Sequence, residues 1–342
     1  MKSKVIVIIS VFMIFSGSLK AQIVEDSVNW MSFDSVRVKF KEFQKPVLIF
    51  LYSEDSDSSK LMQTETFSNT EVASYINFLF YPIKFDINSK DTIVFFDGQE
   101  YANSSESKSK HDMVYMFTGN TDTVPALVLF DKTAKGQSFY GFKNRDEIFR
   151  VLIYYAEQIG QGTSYEDWLI YHKKAYPPGQ EQIMTRLKVD WLKPAEAMEL
   201  QKVKPKKMLF YFYDYRSISG TVMRTQIFNS KKVSDYIRDK YYMVNIDVFT
   251  KDTLRVFGRS YINENKPHEF HQLPVEALAG YMKFPAFIIL DEDHQVREKF
   301  HRFFTVEKLF PILKFYGDDI YKNETWEDFL RIYNRMNLQP ED

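Results

Sequence analysis

The stretch KPVLIFLYSEDSDSSKLM, residues 45–62, decides how this chain is read. Pro46 is followed by an unbroken run of strand formers, VLIFLY, at 47–52. A continuous apolar run of that length between a proline and a polar cluster reads as a strand buried on both faces. Residues 53–60 are polar and contain no glycine. Asp55, Ser56 and Asp57 each suit a helix N-cap, because a short side-chain oxygen there accepts from an unpaired backbone N–H. Leu61, Met62 and Phe67 continue with helical spacing. The unit is therefore strand, short polar turn and helix N-terminus.

That unit resembles the active-site segment of thioredoxin-fold proteins, commonly KPVLVDFYTxWCxxCKxM. Lys45-Pro46-Val47-Leu48 falls on the strand start, Tyr52 on the aromatic, and Lys60 on the lysine. Ser56 and Ser59 fall on the two cysteines, and Asp55 stands where tryptophan is usual. Thr66-Phe67-Ser68-Asn69 with Val72 is similar to the TFSDPxV run of the secreted bacterial thioredoxin-like proteins. The resemblance implies an α/β fold with a central mixed sheet and helices on both faces. It also implies thiol–disulfide exchange as the family's usual reaction. In that reaction the helix N-terminus lowers a thiol pKa from about 8.5 towards neutrality, and the thiolate attacks a disulfide. A serine hydroxyl does neither, and the chain contains no cysteine. Thiol–disulfide oxidoreductase activity is excluded.

At 342 residues the chain has room for roughly two domains. Its 44% hydrophobic and 17% aromatic content supplies packed cores and argues against disorder. A net charge of -1 offers no bulk attraction to nucleic acid. Lys2 and Lys4, the apolar run 5–15 and the small, polar run 16–21 read as a signal peptide cleaved after Ala21. The apolar run is too short to span a bilayer. No cysteine follows it to accept a lipid. The expected mature protein is exported, periplasmic or extracellular, without a membrane span and without disulfides.

Further along, residues 35–43 read as a helix with Val36, Val38, Phe40 and Phe43 as its apolar positions. Residues 71–77 read as a short helix and 78–87 as a strand that Pro82 bends or bulges. Residues 103–110 read as an exposed loop. A strand follows Val124-Pro125, another spans 137–142, and a closing helix spans 146–158. The resemblance implies that Pro125 is a cis-proline beside the turn, whereas the residues alone equally allow a trans-proline opening a strand.

The second half repeats the first. Trp30 recurs as Trp191, Leu48 as Leu209, Tyr52 as Tyr213, Met62 as Met223, Phe67 as Phe228 and Tyr75 as Tyr236, all at an offset of 161. VPALVLFD recurs as FPAFIILD, placing Phe284-Pro285 on Val124-Pro125. The expected organisation is a tandem duplication of a thioredoxin-like domain, 22–158 and 191–335. A connector, 159–190, is broken at Tyr176-Pro177-Pro178-Gly179. In the second copy Ser217 and Gly220 fall on the cysteines and Arg216 on the tryptophan.

Other constellations are weaker. Ser56 as a nucleophile lacks a histidine anywhere in 22–110, and the chain has no GxSxG elbow. Residues 55–59 alternate oxygen donors but lack the glycine and terminal glutamate of a calcium loop, and read as a solvated helix start. His268 and His271, flanked by Pro267 and Pro274, lack further zinc ligands and read as a surface pair. The basic run 202–207 reads as a solvated lead-in to the strand 208–213 rather than a lipid patch. Phe210, Tyr211, Phe212 and Tyr213 read as core. Tyr215 and Arg216 are candidate contacts for a protein partner. No catalytic residue, cofactor or metal is assigned. The expected role is a redox-inactive binding or scaffold module of the cell envelope, taking an unidentified protein or peptide by backbone pairing in the groove beside the turn and the Pro loop. The alternatives are an enzyme of another class on the same fold and a purely structural tandem.

Overall fold

The computed structural model describes residues 27–96, 98–103, 110–119, 123–177 and 186–337. The leader expected at 1–21, residues 104–109 of the polar loop and the Pro178-Gly179 break lie outside the described residues.

The first module begins with α1 (Phe33–Glu42), β1 (Val47–Tyr52) and α2 (Asp57–Leu61), whose axis continues as a π-helical turn, Met62–Thr66. Then follow α3 (Thr70–Leu79), β2 (Tyr81–Asp86), the short pair β3 (Ile93–Val94) and β4 (Glu100–Tyr101), and α4 (Asp112–Thr118). The hairpin β5 (Ala126–Phe130) and β6 (Gly136–Tyr140) leads to α5 (Arg145–Ala156) and α6 (Tyr165–Ala175). The sheet order is β2-β1-β5-β6, with β1 and β2 parallel and the other pairs antiparallel.

The second module has β7 (Trp191–Leu192), α7 (Pro194–Val203), β8 (Lys207–Tyr213) and α8 (Ile218–Val222), the last again running into a π turn, Met223–Ile227. Next come α9 (Lys231–Lys240), β9 (Tyr241–Asp247), the pair β10 (Leu254–Val256) and β11 (Arg259–Tyr261), and α10 (Gln272–Ala277). The hairpin β12 (Ala286–Leu290) and β13 (Val296–Phe300) precedes α11 (Val306–Gly317) and α12 (Trp326–Asn337). Its sheet, β13-β12-β8-β9-β7, has the same topology with β7 added beyond β9. Register repeats as well: Leu48 pairs with Pro82 as Leu209 pairs with Met243. The added strand has its counterpart in a single bridge, since Met31 meets Ile83 as Leu192 meets Val244. π turns are rare, so their recurrence at one offset is a specific signature of the repeat.

Several local expectations are corrected. The strand expected at 78–87 begins at Tyr81, because α3 runs on through Leu79. Pro82 makes no bulge: its nitrogen points away from β1, and its carbonyl accepts from Met31 at 2.8 Å. On α1 the buried face is Phe33 and Val36, with Phe40 packed at its side, a 3.6-residue stripe. Val38 and Phe43 fall off that stripe and are exposed. Lys207 is not solvated either. It is buried at the start of β8, and its ammonium meets Glu292 at 2.7 Å and Asp319 at 2.9 Å.

Each sheet buries both faces. One face of the first sheet packs under α1 and α4 through Val36, Ile49, Leu51 and Met113. The corresponding face of the second packs through Ala197, Phe210, Phe212 and Leu273. The remaining two faces share one continuous cluster, which runs from Leu48 and Phe50 through Leu152 and Trp168 to Tyr211, Phe303 and Leu313. Residues 165–175, expected to be part of a connector, form helix α6 at the centre of that cluster: Trp168 is fully buried and meets Phe303 edge-on at 5.4 Å.

Candidate functional site

In both modules the antiparallel pairing sets a proline loop against a turn. Leu51 pairs with Ala126 and Phe212 with Ala286, so the residue before each of β5 and β12 lies beside the end of the central strand. Those residues are Pro125 and Pro285, both buried, and the bonds Val124–Pro125 and Phe284–Pro285 are cis. A third cis bond, Lys266–Pro267, lies in the loop before α10.

In the first module Ser56 is the N-cap of α2, its hydroxyl accepting from Ser59 N–H at 3.2 Å. Ser59 is fully buried, and its hydroxyl accepts from Ser53 N–H at 3.4 Å. Glu54, Asp55, Asp57 and Ser58 are exposed. These serines therefore hold the turn together from within, while its acidic rim faces outward.

The second turn is built from different residues. Ser217 is the N-cap of α8 and accepts from Gly220 N–H at 3.0 Å. Gly220 lacks the hydroxyl that Ser59 supplies, and the Tyr211 hydroxyl donates to the Gly220 carbonyl at 2.9 Å. A Cβ at Gly220 would lie 3.3 Å from Ser217 Oγ and 3.7 Å from the Tyr211 oxygen. The pair Phe50 and Ser59 is thus exchanged for Tyr211 and Gly220, moving one hydroxyl between side chains.

The second turn is also covered. Glu157, the C-cap of α5 in the first module, reaches it with an enclosed carboxylate. Oε2 accepts from Ser217 Oγ at 2.6 Å, from Ser219 N–H at 2.9 Å and from the Ser219 hydroxyl, while Oε1 accepts from Ile218 N–H at 3.0 Å. Burial pushes this carboxyl above its ordinary range, and the hydrogen bonds from Ser217, Ser219 and Ile218 only partly oppose it. Residues after Glu157 continue across the module. Lys283, next to Phe284-Pro285, donates to Gln161; Lys308 donates to the Gly162 carbonyl at 2.7 Å; and Thr163 donates to the Phe303 carbonyl at 3.4 Å. Burial, with Arg302 and Lys132 nearby, lowers the Lys283 ammonium to about 8.

Of the other candidates, Tyr215 is exposed, whereas Arg216 is committed within the protein. Its guanidinium meets Asp214 at 3.1 Å and Glu269 at 3.3 Å and lies over the Phe249 ring at 4.1 Å. His271 is not a surface residue. It is fully buried as the N-cap of α10, with Nε2 against the Asp252 carbonyl at 3.1 Å and Nδ1 accepting from Leu273 N–H at 3.1 Å. His111 caps α4 in the same way, with Nε2 2.9 Å from the Asp91 carbonyl. Both rings are structural caps, a pair readable as an offset of 160 in the sequence. Among the described residues no group of three or more His, Asp or Glu side chains is placed to hold a metal.

A family model, thioredoxin-like domain, matches residues 33–156. Solved structures similar to the chain include a thioredoxin-fold protein from Helicobacter pylori, at 16% identity over 49% of this chain and 99% of that one, with a TM-score of 0.32. A DsbH oxidoreductase is similar at 18% identity over 37% and 83%, TM-score 0.25. A thioredoxin from Thermus thermophilus is similar at 16% identity over 37% and 84%, TM-score 0.26. No curated protein matches the sequence. The family match covers the strand–turn–helix unit, the Val124-Pro125 loop and the closing helix α5, so that residues 33–156 are similar to the thioredoxin-like domain family.

Proposed function

We propose that this chain is an exported, redox-inactive binding or scaffold module of the cell envelope, with domains at 22–158 and 191–335. It would take an extended protein or peptide segment in the groove beside the first turn and Pro125. One observation carries the reading: the equivalent groove of the second module is filled by a segment of this same chain, residues 157–163, without any thiol. The Ile218 and Ser219 N–H groups, the Ser217 and Ser219 hydroxyls and the Lys283 and Lys308 ammonium groups all donate to that segment. The first turn keeps the same architecture, and its rim residues Asp55, Asp57 and Ser58 are exposed. Absence of cysteine supports loss of redox chemistry, and the leader-like run 1–21 supports export. Among the described residues no helix is long and apolar enough to cross a membrane. Tyr215, exposed beside the second turn, offers a further contact, and Arg216 helps hold its neighbourhood in shape.

The test is site-specific photo-crosslinking in envelope extracts, with the crosslinking residue at Ser58 and a control at exposed Lys174. A discrete adduct from position 58 alone supports the reading, and equal labelling at both positions would sink it. Amino-terminal sequencing of the secreted protein checks export, with Gln22 as the expected first residue.

A further inference from the structure

The second turn has a ligand class of its own. We propose that the former dithiol position of the second module is a carboxylate-binding site, filled in cis by Glu157, and that this contact latches the two modules together. The inference stands apart from the binding role proposed for the first turn.

Three observations carry it. The first is the donor set. Ser217 and Ser219 hydroxyls and the N–H groups of Ile218 and Ser219 all converge on one carboxylate. A turn of this geometry, which in a dithiol protein favours a thiolate, favours any compact anion for the same reason: oriented N–H dipoles point at it. Here the anion is a glutamate from the other module.

The second is what the repeat shows about the position of Glu157. Its counterpart, Asp318, stays within its own module, where Lys240 meets it at 2.9 Å and Lys314 at 2.8 Å. At the matching places of the first module stand Leu79 and Ile153, which offer no charge. The two places that give Asp318 its cations are therefore apolar around Glu157, whose hydrogen-bond partners lie across the junction.

The third is the divergence of the two turns. Ile218 and Ser219 replace Asp57 and Ser58, so the second turn has lost the acidic side chain that would repel a carboxylate. The first turn, rimmed by Glu54, Asp55 and Asp57, would reject one. The carboxylate site thus belongs to the second module alone.

The experiment uses the full chain. Glu157→Ala is compared with wild type by thermal melting and by limited proteolysis of the segment 157–190, in sodium propionate and in sodium chloride at equal ionic strength. The expected result is a Tm lowered by roughly 5 °C or more and faster cleavage. Propionate, which replaces the missing side chain, restores part of both, and chloride does not. Ser217→Ala/Ser219→Ala should lose the same latch and gain nothing from propionate. Glu157→Gln keeps the volume of the side chain but turns one acceptor oxygen into an amide donor, so a loss there reports on the converging donors rather than on a void. Melting and cleavage of Glu157→Ala indistinguishable from wild type would overturn the proposal, as would equal effects of propionate and chloride on it.

Discussion

Glu157 shows how one side chain sets a condition on the whole fold. Its carboxyl is pushed up by burial, and the hydrogen bonds it accepts do not fully compensate. The folded protein therefore holds this proton more tightly than the unfolded chain does. The stability linked to that proton is complete below the ordinary glutamate value of about 4.3 and is lost as pH rises through the elevated folded value. The groups facing it are Tyr75 from α3, Tyr176 after α6 and Tyr211 from β8, all pushed upward by burial and neutral throughout this range. Unfolding free energy of wild type minus that of Glu157→Gln should therefore rise as pH falls from neutrality towards that value; a difference independent of pH in denaturant titrations would contradict this. Asp318, held low by Lys314, Lys240 and Tyr236 against the effect of burial, acts oppositely and only in stronger acid. At this scale the turns holding Ser56, Ser59, Ser217 and Gly220 were legible because each follows an apolar strand run and opens with a capping serine. Glu157 was not, since a glutamate ending an amphipathic helix looks the same whether it meets water or a partner 60 positions away.

Among the elements, the turns and proline loops are equivalent in backbone and unequal in access. That asymmetry predicts unequal outcomes for restored cysteines. Ser56→Cys/Ser59→Cys should gain measurable insulin-reducing activity, because one position caps α2 at the half-exposed turn and the other lies buried behind it, as a dithiol requires. Ser217→Cys/Gly220→Cys should show none above the uncatalysed thiol rate, because Glu157 covers that turn. Comparable turnover by both pairs would mean that the second groove is open. The strand 47–52 was read to the residue, since a continuous apolar run between a proline and a polar cluster has few alternatives. The start of β2 was missed because FLFYP is equally apolar in helix and strand, and the boundary is set by α3 packing on α5. The basic run at 202–207 misled for a related reason: composition shows that a lysine is present, not that Glu292 and Asp319 wait for it inside.

For the molecule as a whole, the shared cluster matters more than the number of modules. An interface that is apolar and continuous with both cores opposes independent motion of the two halves. Calorimetry should accordingly show a single unfolding transition, and two resolved transitions would contradict a common core. Trp168 sits at the middle of it, with its indole N–H donating to the Arg150 carbonyl at 3.2 Å. Trp168→Ala should cost about 3–5 kcal/mol and lower the stability of both halves together, as measured by denaturant unfolding with probes in each. A loss confined to the first module would show that α6 belongs to it alone.

From its sequence alone this protein could be assigned a thioredoxin-like α/β architecture, a repeated plan and an inability to exchange disulfides. Periodicity, motif spacing and the absence of sulfur are properties of residues in order, and they survive without coordinates. What only the tertiary structure decided is how the copies are joined: residues expected to be connector became a helix at the centre of a shared core, and a carboxylate from one copy covers the corresponding turn of the other. Such contacts depend on groups brought together from distant positions, where burial and paired hydrogen bonds, rather than local pattern, determine which residues meet.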